Sequence, residues 1–483
     1  MNIGFIFPTA DRAYFRHKPI RVQASIYLGI SYISSVLKLK GHQTRLFVLT
    51  QQNQSQVETL LDKFEPQLLC CTAVSTTYHL IKNFAVRYKK RCPHVFLLAG
   101  GCHVSLNPEE VIADPFDAIC IGEGEYPALE LADQLERGLR PSNIQNLWIK
   151  NGADVEKNAA RPFIENLDEL PFPDRSMWQE WVRYYSTPPS ILISRGCPFN
   201  CTYCCHHKLA GIAPGRYYRF RSPQNILEEI KGYLTEYPRT KEIYLETETI
   251  FINTAYVKQL CSTLQKLNSE REQPLVFGAN LRITPHTEYE TLFESLSQAN
   301  FKHINIGLES GSEKVRSRVL KRNYSNDNIT SAVACARKYG IKTTLYVMIG
   351  LPGETAADFQ ETIEVSRRCR PDATIHNIFY PYPGTELARL CEEERLFDRR
   401  IDIKRIDERK KPVLNLPDFS QGEVHRSYIW FEYNVFKGHK PLYKILLRVL
   451  QNKVFTVPEL EKFFNSLLDI RVLFYLKSKL INY

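Results

Sequence analysis

Ser194-Arg195-Gly196-Cys197-Pro198-Phe199-Asn200-Cys201-Thr202-Tyr203-Cys204 follows directly on the apolar run Ile191-Leu192-Ile193. The run predicts a strand, so the thiols of this CxxxCxxC triplet stand on a loop leaving its C-terminal end. Three clustered thiolates suit a soft metal centre. No fourth ligand stands at matching spacing. A cubane cluster on Cys197, Cys201 and Cys204 would keep one iron open to an exogenous ligand, whereas a structural zinc site would close its tetrahedron. Zinc binding and core packing are the competing readings of clustered cysteines. Cys205 adjoins Cys204 and offers a CxxxCxxxC register instead. The spacing and the aromatic Tyr203 favour Cys204, leaving Cys205 a neighbouring or core thiol.

With its Gly-Cys-Pro-Phe-Asn lead-in and Tyr203 before the third cysteine, the loop resembles the cluster-binding loop of the radical S-adenosylmethionine (SAM) superfamily. That resemblance implies a [4Fe-4S] cluster whose open iron is chelated by the amino and carboxylate groups of SAM.

From Ile191 onward, strand-like runs recur at Glu242–Leu245, Leu275–Ala279, His303–Ile306, Lys342–Met348 and Ala373–Phe379, separated by helical segments. Six strand-helix units predict a partial (β/α)6 TIM-type barrel, with its chemistry at the C-terminal ends of the strands. Ser222-Pro223 supplies an N-cap and first position for the first barrel helix. The second strand ends in Glu246-Thr247-Glu248. Polar groups here hold the SAM amino group in the superfamily, and Glu248 is preferred over Glu246. Arg282, after the third strand, is suited to the SAM carboxylate or a substrate, or to a plain surface ion pair. Gly307-Leu308-Glu309-Ser310-Gly311 resembles a segment that contacts SAM, through Glu309 or Ser310. Ile349-Gly350-Leu351-Pro352 resembles the segment that packs near the adenine, with Glu354 suited to capping or bracing the next helix. Tyr203 is a further expected cofactor contact. Glu248, Arg282 and Glu309 are the candidate catalytic residues. The loop Tyr380–Thr385 is the expected seat of specificity, together with the region after Asp398.

Before the barrel, β-branched runs alternate with amphipathic segments in five strand-helix units from Ile3 to Arg137. This predicts a doubly wound, flavodoxin-like parallel sheet whose ligand lies at the C-terminal strand edge. Tyr27-Leu28-Gly29-Ile30, Gly41-His42, Val74-Ser75-Thr76, Gly100-Gly101-Cys102-His103-Val104-Ser105 and Ile121-Gly122-Glu123-Gly124-Glu125 resemble the cobalamin-binding domain of many radical SAM enzymes. The resemblance implies corrinoid contacts from Ser75, Thr76, Gly100, Gly101, His103, Gly122, Glu123, Gly124 and Glu125. No Asp-x-His-x-x-Gly motif supplies an axial histidine beneath cobalt. A domain of this fold that binds nothing is the alternative.

The periodicity lapses between Pro141 and Pro189, where Asn151-Gly152 reads as a hairpin turn and Leu170-Pro171-Phe172-Pro173-Asp174 as a stiff connector. The expected division is 1–140 cobalamin-binding domain, 141–189 linker, 190–397 radical SAM core and 398–483 helical extension. Trp178, Trp181, Tyr184 and Tyr185 are expected to pack one domain on the other. Residues 436–483 carry nine Lys or Arg against three Asp or Glu, with amphipathic candidates at Leu442–Leu450 and Leu460–Leu476. Such helices lie on anionic membrane, grip a substrate or cover the barrel.

The net charge of +10 is modest for 483 residues and by itself selects no anionic partner. Thirteen cysteines without a recognisable signal peptide predict a reducing, cytoplasmic setting, and Cys70, Cys71, Cys120, Cys261 and Cys335 read as buried fillers. No apolar run reaches the length of a membrane span, so membrane contact would be peripheral.

Together these resemblances imply a cobalamin-dependent enzyme that methylates an unactivated carbon or phosphorus centre through a 5′-deoxyadenosyl radical. They imply a small-molecule substrate, anionic or lipid-linked in view of the basic tail, and an electron-donating reductase, flavodoxin or ferredoxin, with no nucleic acid. A radical cyclase or rearrangement enzyme is the alternative within the same architecture. A methylthiotransferase fits less well, because the N-terminal cysteines are too dispersed for an extra cluster. A non-catalytic iron-sulfur scaffold is the reading from another class.

Overall fold

The computed structural model of the chain describes residues 1–9, 20–22, 26–184, 188–250, 252–398, 408–457 and 460. Its first sheet contains β1 (Asn2–Pro8), β3 (Gln43–Leu49), β4 (Leu68–Thr72), β5 (Phe96–Gly100), β6 (Ala118–Cys120), β7 (Leu147–Asn151) and β8 (Asp154–Lys157), while the short β2 (Ile20–Val22) pairs outside it with β9 (Val182–Tyr184). Among the described residues the sheet order is β3-β1-β4-β5-β6-β7-β8, parallel from β3 to β6. Leaving out β2, its parallel part has the flavodoxin-like order 2-1-3-4-5. Alternate residues of the central strands serve two cores. One lies under the helices Leu28–Leu39 and Glu125–Glu136, the other under Gln54–Phe64 and Tyr78–Arg91.

The stretch expected to be a linker departs from that reading. Its β7 and β8 extend the first sheet as an antiparallel hairpin turning at Gly152, because Leu147 and Ile149 are apolar enough to continue the core. Trp178 and Trp181 then return the chain beneath the same domain. Trp178 Nε1 donates to Ser31 Oγ at 2.8 Å, and Trp181 Nε1 to the Leu46 carbonyl at 2.9 Å. They belong to the first domain's core rather than to a seam between domains. The side chains of Tyr184 and Tyr185 lie outside the described residues.

The second sheet comprises β10 (Ser190–Leu192), β13 (Glu242–Glu246), β14 (Val276–Leu281), β15 (Phe301–Glu309), β16 (Lys342–Ile349) and β17 (Ala373–Ile378), joined in that order and parallel throughout. β17 does not pair back to β10, so the barrel is open, as six units predict. The small antiparallel pair β11 (Ser194–Arg195) and β12 (Arg219–Phe220) brackets the cysteine loop. Ile243, Leu245, Ile304, Ile306, Leu345 and Val347 are buried under the surrounding helices. The alternate residues Tyr244, Asn280 and Asn305 are only half buried and hydrogen-bond one another across three strands, Tyr244 Oη donating to Asn280 Oδ1 at 2.5 Å and Asn305 Nδ2 to Tyr244 Oη at 2.7 Å. The barrel interior is thus polar where a packed barrel would be aliphatic. Ser222 Oγ accepts from Asn225 N at 3.1 Å and Pro223 takes the first position of the helix Pro223–Glu236.

Helix Gln421–Phe436 packs against the helix Ala356–Cys369 and β17 through contacts such as Phe359 with Phe431, and so covers the barrel. Leu442–Leu450 falls in the helix Leu442–Phe455. The second amphipathic stretch lies outside the described residues beyond Leu460. Among the described residues no helix is long and apolar enough to cross a membrane.

Trp178 is fully buried, with an edge-on contact to Phe7 at 5.2 Å between ring centroids. Trp178→Ala is expected to lower unfolding stability by about 3–5 kcal/mol, measured by urea denaturation. A loss below about 1 kcal/mol would contradict its place in the core.

Candidate active site at the domain boundary

Gly196 starts the cysteine loop with φ +82°, and a Cβ there would stand 2.2 Å from the Tyr217 carbonyl oxygen, so only glycine fits between the β11–β12 pair and the loop. Beyond it the loop is fastened across the barrel mouth. Thr202 Oγ1 donates to the Val319 carbonyl at 2.6 Å, and Leu387 N donates to the Thr202 carbonyl at 2.9 Å. Tyr203 Oη donates to Glu309 Oε1 at 3.2 Å and accepts from Arg322 Nη1 at 2.9 Å. The thiols are therefore presented on a loop with little freedom.

Among the described residues, the one group whose ligand atoms all lie within 4.8 Å of one another is Cys204, Cys205 and His206. Both His206 nitrogens are already engaged, Nδ1 with Tyr217 Oη at 2.7 Å and Nε2 with Glu248 Oε1 at 3.0 Å. That leaves a single ion only two thiols there. Cys197, Cys201 and Cys204 do not form such a group. Thiolates sharing one zinc ion at about 2.3 Å each would lie within roughly 4 Å of one another, whereas thiolates on separate irons of a cluster stand wider apart. The donor set fits a [4Fe-4S] cluster better than zinc.

Gly196 and His206, which flank the loop's cysteines, line a cavity of about 380 Å³ between the two sheets, and none of the loop's thiols is in that lining. On one side are the strand ends of the first domain, with Tyr27, Thr72, Gly100, Gly101, Cys102, Gly122, Glu123, Gly124 and Glu125. On the other are Arg195, Gly196, His206, Tyr217, Arg219, Glu246 and Glu248. A glycine-bordered edge therefore opposes the barrel mouth, as expected for a broad flat ligand.

Glu123 and Glu125, both in the cavity lining, have a task besides the corrinoid contact expected of them. Arg195 Nη1 lies 3.2 Å from Glu123 Oε1 and Nη2 2.6 Å from Glu125 Oε1, while Arg219 grips both oxygens of Glu123 at 3.0 Å. Ile164 N adds a bond to Glu123 Oε2 at 2.8 Å. Burial opposes the charge of Glu123, but these partners hold its carboxyl below the usual range. The two acids join the domains because they are the carboxylates that meet the guanidinium groups of the β11–β12 pair. Ser75, Thr76 and His103 lie outside the cavity lining. Ser75 Oγ is 3.2 Å from His103 Nδ1, and the buried imidazole packs on Tyr78 at 4.3 Å between centroids, which lowers its pKa through burial. His103 is a packing residue of the first domain.

In the barrel, Glu246 and Glu248 both line the cavity. Glu248 is held by His206, and burial assisted by the Glu248 charge lifts the Glu246 carboxyl to about 7. Glu309 sits at a bulge with φ +63°, where Arg322 Nη1 donates to its Oε1 at 2.8 Å. A Cβ on Gly307 would stand 2.4 Å from Glu309 Oε1, so a side chain there would displace that carboxylate. Arg282 turns its guanidinium onto the cysteine loop, donating Nη1 to Cys201 Sγ and covering the Phe199 ring at 3.9 Å. It is no surface ion pair.

Four expected cofactor contacts are enclosed by protein, and a fifth is closed in with them. Ser310 is wholly buried, with Oγ accepting from Ser312 N at 3.3 Å. Ile349, Gly350, Leu351 and Pro352 are buried because helix Gln421–Phe436 closes over them, Val424 reaching 3.1 Å from where a Gly350 Cβ would be. Glu354 braces this turn, as its bracing reading expects, Oε2 accepting from Gly350 N at 2.7 Å and Leu351 N at 3.1 Å. Sequence reasoning assigned no role to Tyr27, Cys102, Arg195, His206, Tyr217 or Arg219. Arg195 and His206 flank the cysteine triplet, but nothing in the linear pattern marks what they face. In the Tyr380–Thr385 loop, a Cβ on Gly384 would meet Leu106 of the first domain at 2.7 Å.

Three substitutions test these assignments. Glu123→Ala leaves the buried Arg219 guanidinium without its carboxylate and Arg195 with Glu125 alone, and is expected to cost about 3–5 kcal/mol. Glu130→Ala, which removes the half-exposed partner of Arg161, is expected to cost no more than about 1 kcal/mol. Equal losses in urea denaturation would contradict the clamp. Burial raises the Glu354 carboxyl from 4.5 to about 8, so the native state binds the extra proton between those values and stability falls as pH rises through them. Glu354→Gln keeps an acceptor for the two N–H groups without a buried charge. Its melting temperature is expected to gain on wild type progressively from pH 4.5 to about 8; a pH-independent difference would contradict this.

Residues 191–365 match the family model of the radical SAM superfamily, and residues 24–132 that of the B12 binding domain. An uncharacterised methyltransferase of Pyrococcus horikoshii is 26% identical over 74% of this chain and 77% of its own length. The anaerobic magnesium-protoporphyrin IX monomethyl ester cyclase of Rubrivivax gelatinosus is 26% identical over 76% of this chain and 67% of its own. The fold is that of the radical S-adenosylmethionine methyltransferase TsrM from Kitasatospora setae, with a TM-score of 0.64 at 16% identity, covering 88% of this chain and 85% of that one. The domain matches assign [4Fe-4S] and SAM chemistry to the barrel and cobalamin to the first domain. With the glycine edge of the first domain and the residues that flank the cysteine triplet lining one cavity, the chain is a member of the radical SAM superfamily that carries an N-terminal cobalamin-binding domain.

Proposed function

We propose that this enzyme is a cobalamin-dependent radical SAM methyltransferase acting on an unactivated carbon or phosphorus centre of a small biosynthetic molecule. The carrying observation is the shared cavity, which sets the first domain's strand ends opposite Gly196 and His206, the residues that flank the cysteine triplet. When bound, the cluster and SAM supply a 5′-deoxyadenosyl radical, and the corrinoid a transferable methyl group.

In this reading Cys197, Cys201 and Cys204 hold the cluster, and Cys205 does not. Glu246 and Glu248 receive the SAM ammonium group at the end of β13, with His206 fixing the orientation of Glu248. Glu309, held by Arg322, is placed to accept from polar hydrogens of SAM. Gly100, Gly101, Gly122 and Gly124 would let the backbone lie close to a corrinoid held at this strand edge. The Arg195 and Arg219 clamp keeps the two walls at fixed separation, which limits water and stray hydrogen donors at the reacting carbon.

Similarity to the cyclase of Rubrivivax gelatinosus favours cyclisation or rearrangement without net methyl transfer as the second reading. An anionic or lipid-linked substrate suits the basic C-terminal stretch, peripheral membrane contact would follow from the same stretch, and a ferredoxin, flavodoxin or reductase would deliver electrons.

Anaerobically reconstituted protein given SAM and reductant is expected to release 5′-deoxyadenosine and to retain cobalamin through gel filtration. Cys197→Ala, Cys201→Ala and Cys204→Ala should each abolish the broad visible absorbance, and Cys205→Ala should keep it. Absence of 5′-deoxyadenosine defeats the catalytic reading, and loss of cobalamin defeats the corrinoid one. A methylated product separates methyl transfer from cyclisation.

A further inference from the structure

Cys201 is the most enclosed thiol of the triplet, 5% exposed where Cys197 and Cys204 are half buried. Negative charge on its sulfur has little water to screen it. Two guanidinium groups come near it, and they are not equivalent. Arg322 is paired with Glu309 at 2.8 Å, so its charge is largely answered. Arg282 makes no ion pair with any carboxylate among the described residues. Its Nη1 donates to Cys201 Sγ, its plane covers Phe199 at 3.9 Å, and its buried Nε has no acceptor. The position is well defined. Arg282 directly follows β14, and its backbone N donates to Thr249 Oγ1 at 3.1 Å, which ties the residue to the loop after β13. Phe199, the platform, belongs to the cysteine loop itself, so cation and sulfur move together.

A cation with no carboxylate partner, stacked on the cysteine loop and donating to a buried thiol, is arranged to answer charge on sulfur. We infer that Arg282 is a positioning residue that raises the reduction potential of the cluster by neutralising charge at Cys201. The inference rests on the reading of Cys197, Cys201 and Cys204 as cluster ligands. Iron-sulfur potentials depend on net charge, hydrogen bonds to sulfur and exposure, and second-shell donors tune a metal site through its ligands. On reduction, one electron passes from an external one-electron donor such as titanium(III) citrate to the oxidised cluster. The cluster charge falls by one, the donor ends as titanium(IV), and no bond breaks. The added charge spreads onto the sulfurs, so a fixed N–H⁺ at Cys201 favours the reduced form. Lysine would keep the charge but lose the planar stacking and fixed donor geometry.

The test uses full-length wild type, Arg282→Lys and Arg282→Gln, reconstituted anaerobically, with iron and sulfide counted before measurement. Midpoint potentials are read by potentiometric titration followed by electron paramagnetic resonance. At the wild-type midpoint, Arg282→Gln is expected to show at least a tenfold lower ratio of reduced to oxidised cluster, about 59 mV for one electron. Arg282→Lys is expected to recover part of that loss. An unchanged midpoint in a fully loaded Arg282→Gln protein overturns the inference. Loss of iron from Arg282→Gln also overturns it, since the arginine would then hold the cluster rather than tune it. A wild-type chain that takes up no cluster overturns the ligand reading beneath it.

Discussion

The buried meeting of Arg195 and Arg219 with Glu123 and Glu125 is the constraint on which the rest of this structure depends. Arg195 stands two residues before the first cysteine of the triplet, and Glu123 and Glu125 stand at the strand edge that receives the first domain's ligand. One set of charge-assisted bonds therefore fixes the separation of the two walls of the cavity. Because all four side chains are largely removed from water, the bonds are strong only while every partner is present. Domain docking and site geometry consequently stand or fall together.

A second group strengthens the same seam. Glu229 receives Arg175 at 2.8 Å and Arg221, and Arg221 Nη1 reaches Tyr32 Oη of the first domain at 3.4 Å. Tyr32 also lies beneath the Arg195 guanidinium, 4.9 Å from its ring centroid. Aromatic and cationic groups alternate across the boundary, an arrangement in which a cation gains from the ring face as well as from its carboxylate. The two large apolar cores lie on either side, and only a small cluster, in which Leu192 of β10 packs against Tyr32, Val36, Ile164, Leu167 and Leu170, joins this polar network at the boundary.

Within the barrel, the division of labour follows the period of two along a strand. Residues facing the helices form a continuous aliphatic core, and those facing inward are polar and hydrogen-bonded between strands. An open six-stranded sheet tolerates this because its interior is a site rather than a packed core. The bulge in β15 puts Glu309 in the left-handed region, where its carboxylate meets both Arg322 and Tyr203 of the cysteine loop. Strained backbone is thus found where a functional side chain has to be aimed.

Much of this was legible in the linear sequence, for reasons that are local. Alternation of β-branched runs with amphipathic segments gives both sheets, since strand and helix periods are written residue by residue, and the CxxxCxxC spacing marks the cysteine loop because its ligands are neighbours in sequence. The glycines at 100, 101, 122 and 124 are likewise legible, as a missing Cβ matters wherever a ligand lies over a strand edge. Only the tertiary structure decided which polar groups face the cavity. Glu123 and Glu125 look like ligand contacts alone, and only folding brings Arg195 and Arg219 to them from about 70 to 96 residues away. Ile349–Pro352 look accessible until helix Gln421–Phe436 covers the turn, and Ser310 until Ser312 and the buried Arg316 close around it. Arg282 reads equally as a SAM or substrate contact and as a surface ion pair, until folding sets it on Cys201 and Phe199, 81 residues distant for the thiol. A side chain's partner across such separations depends on packing angles between elements, which no local pattern encodes.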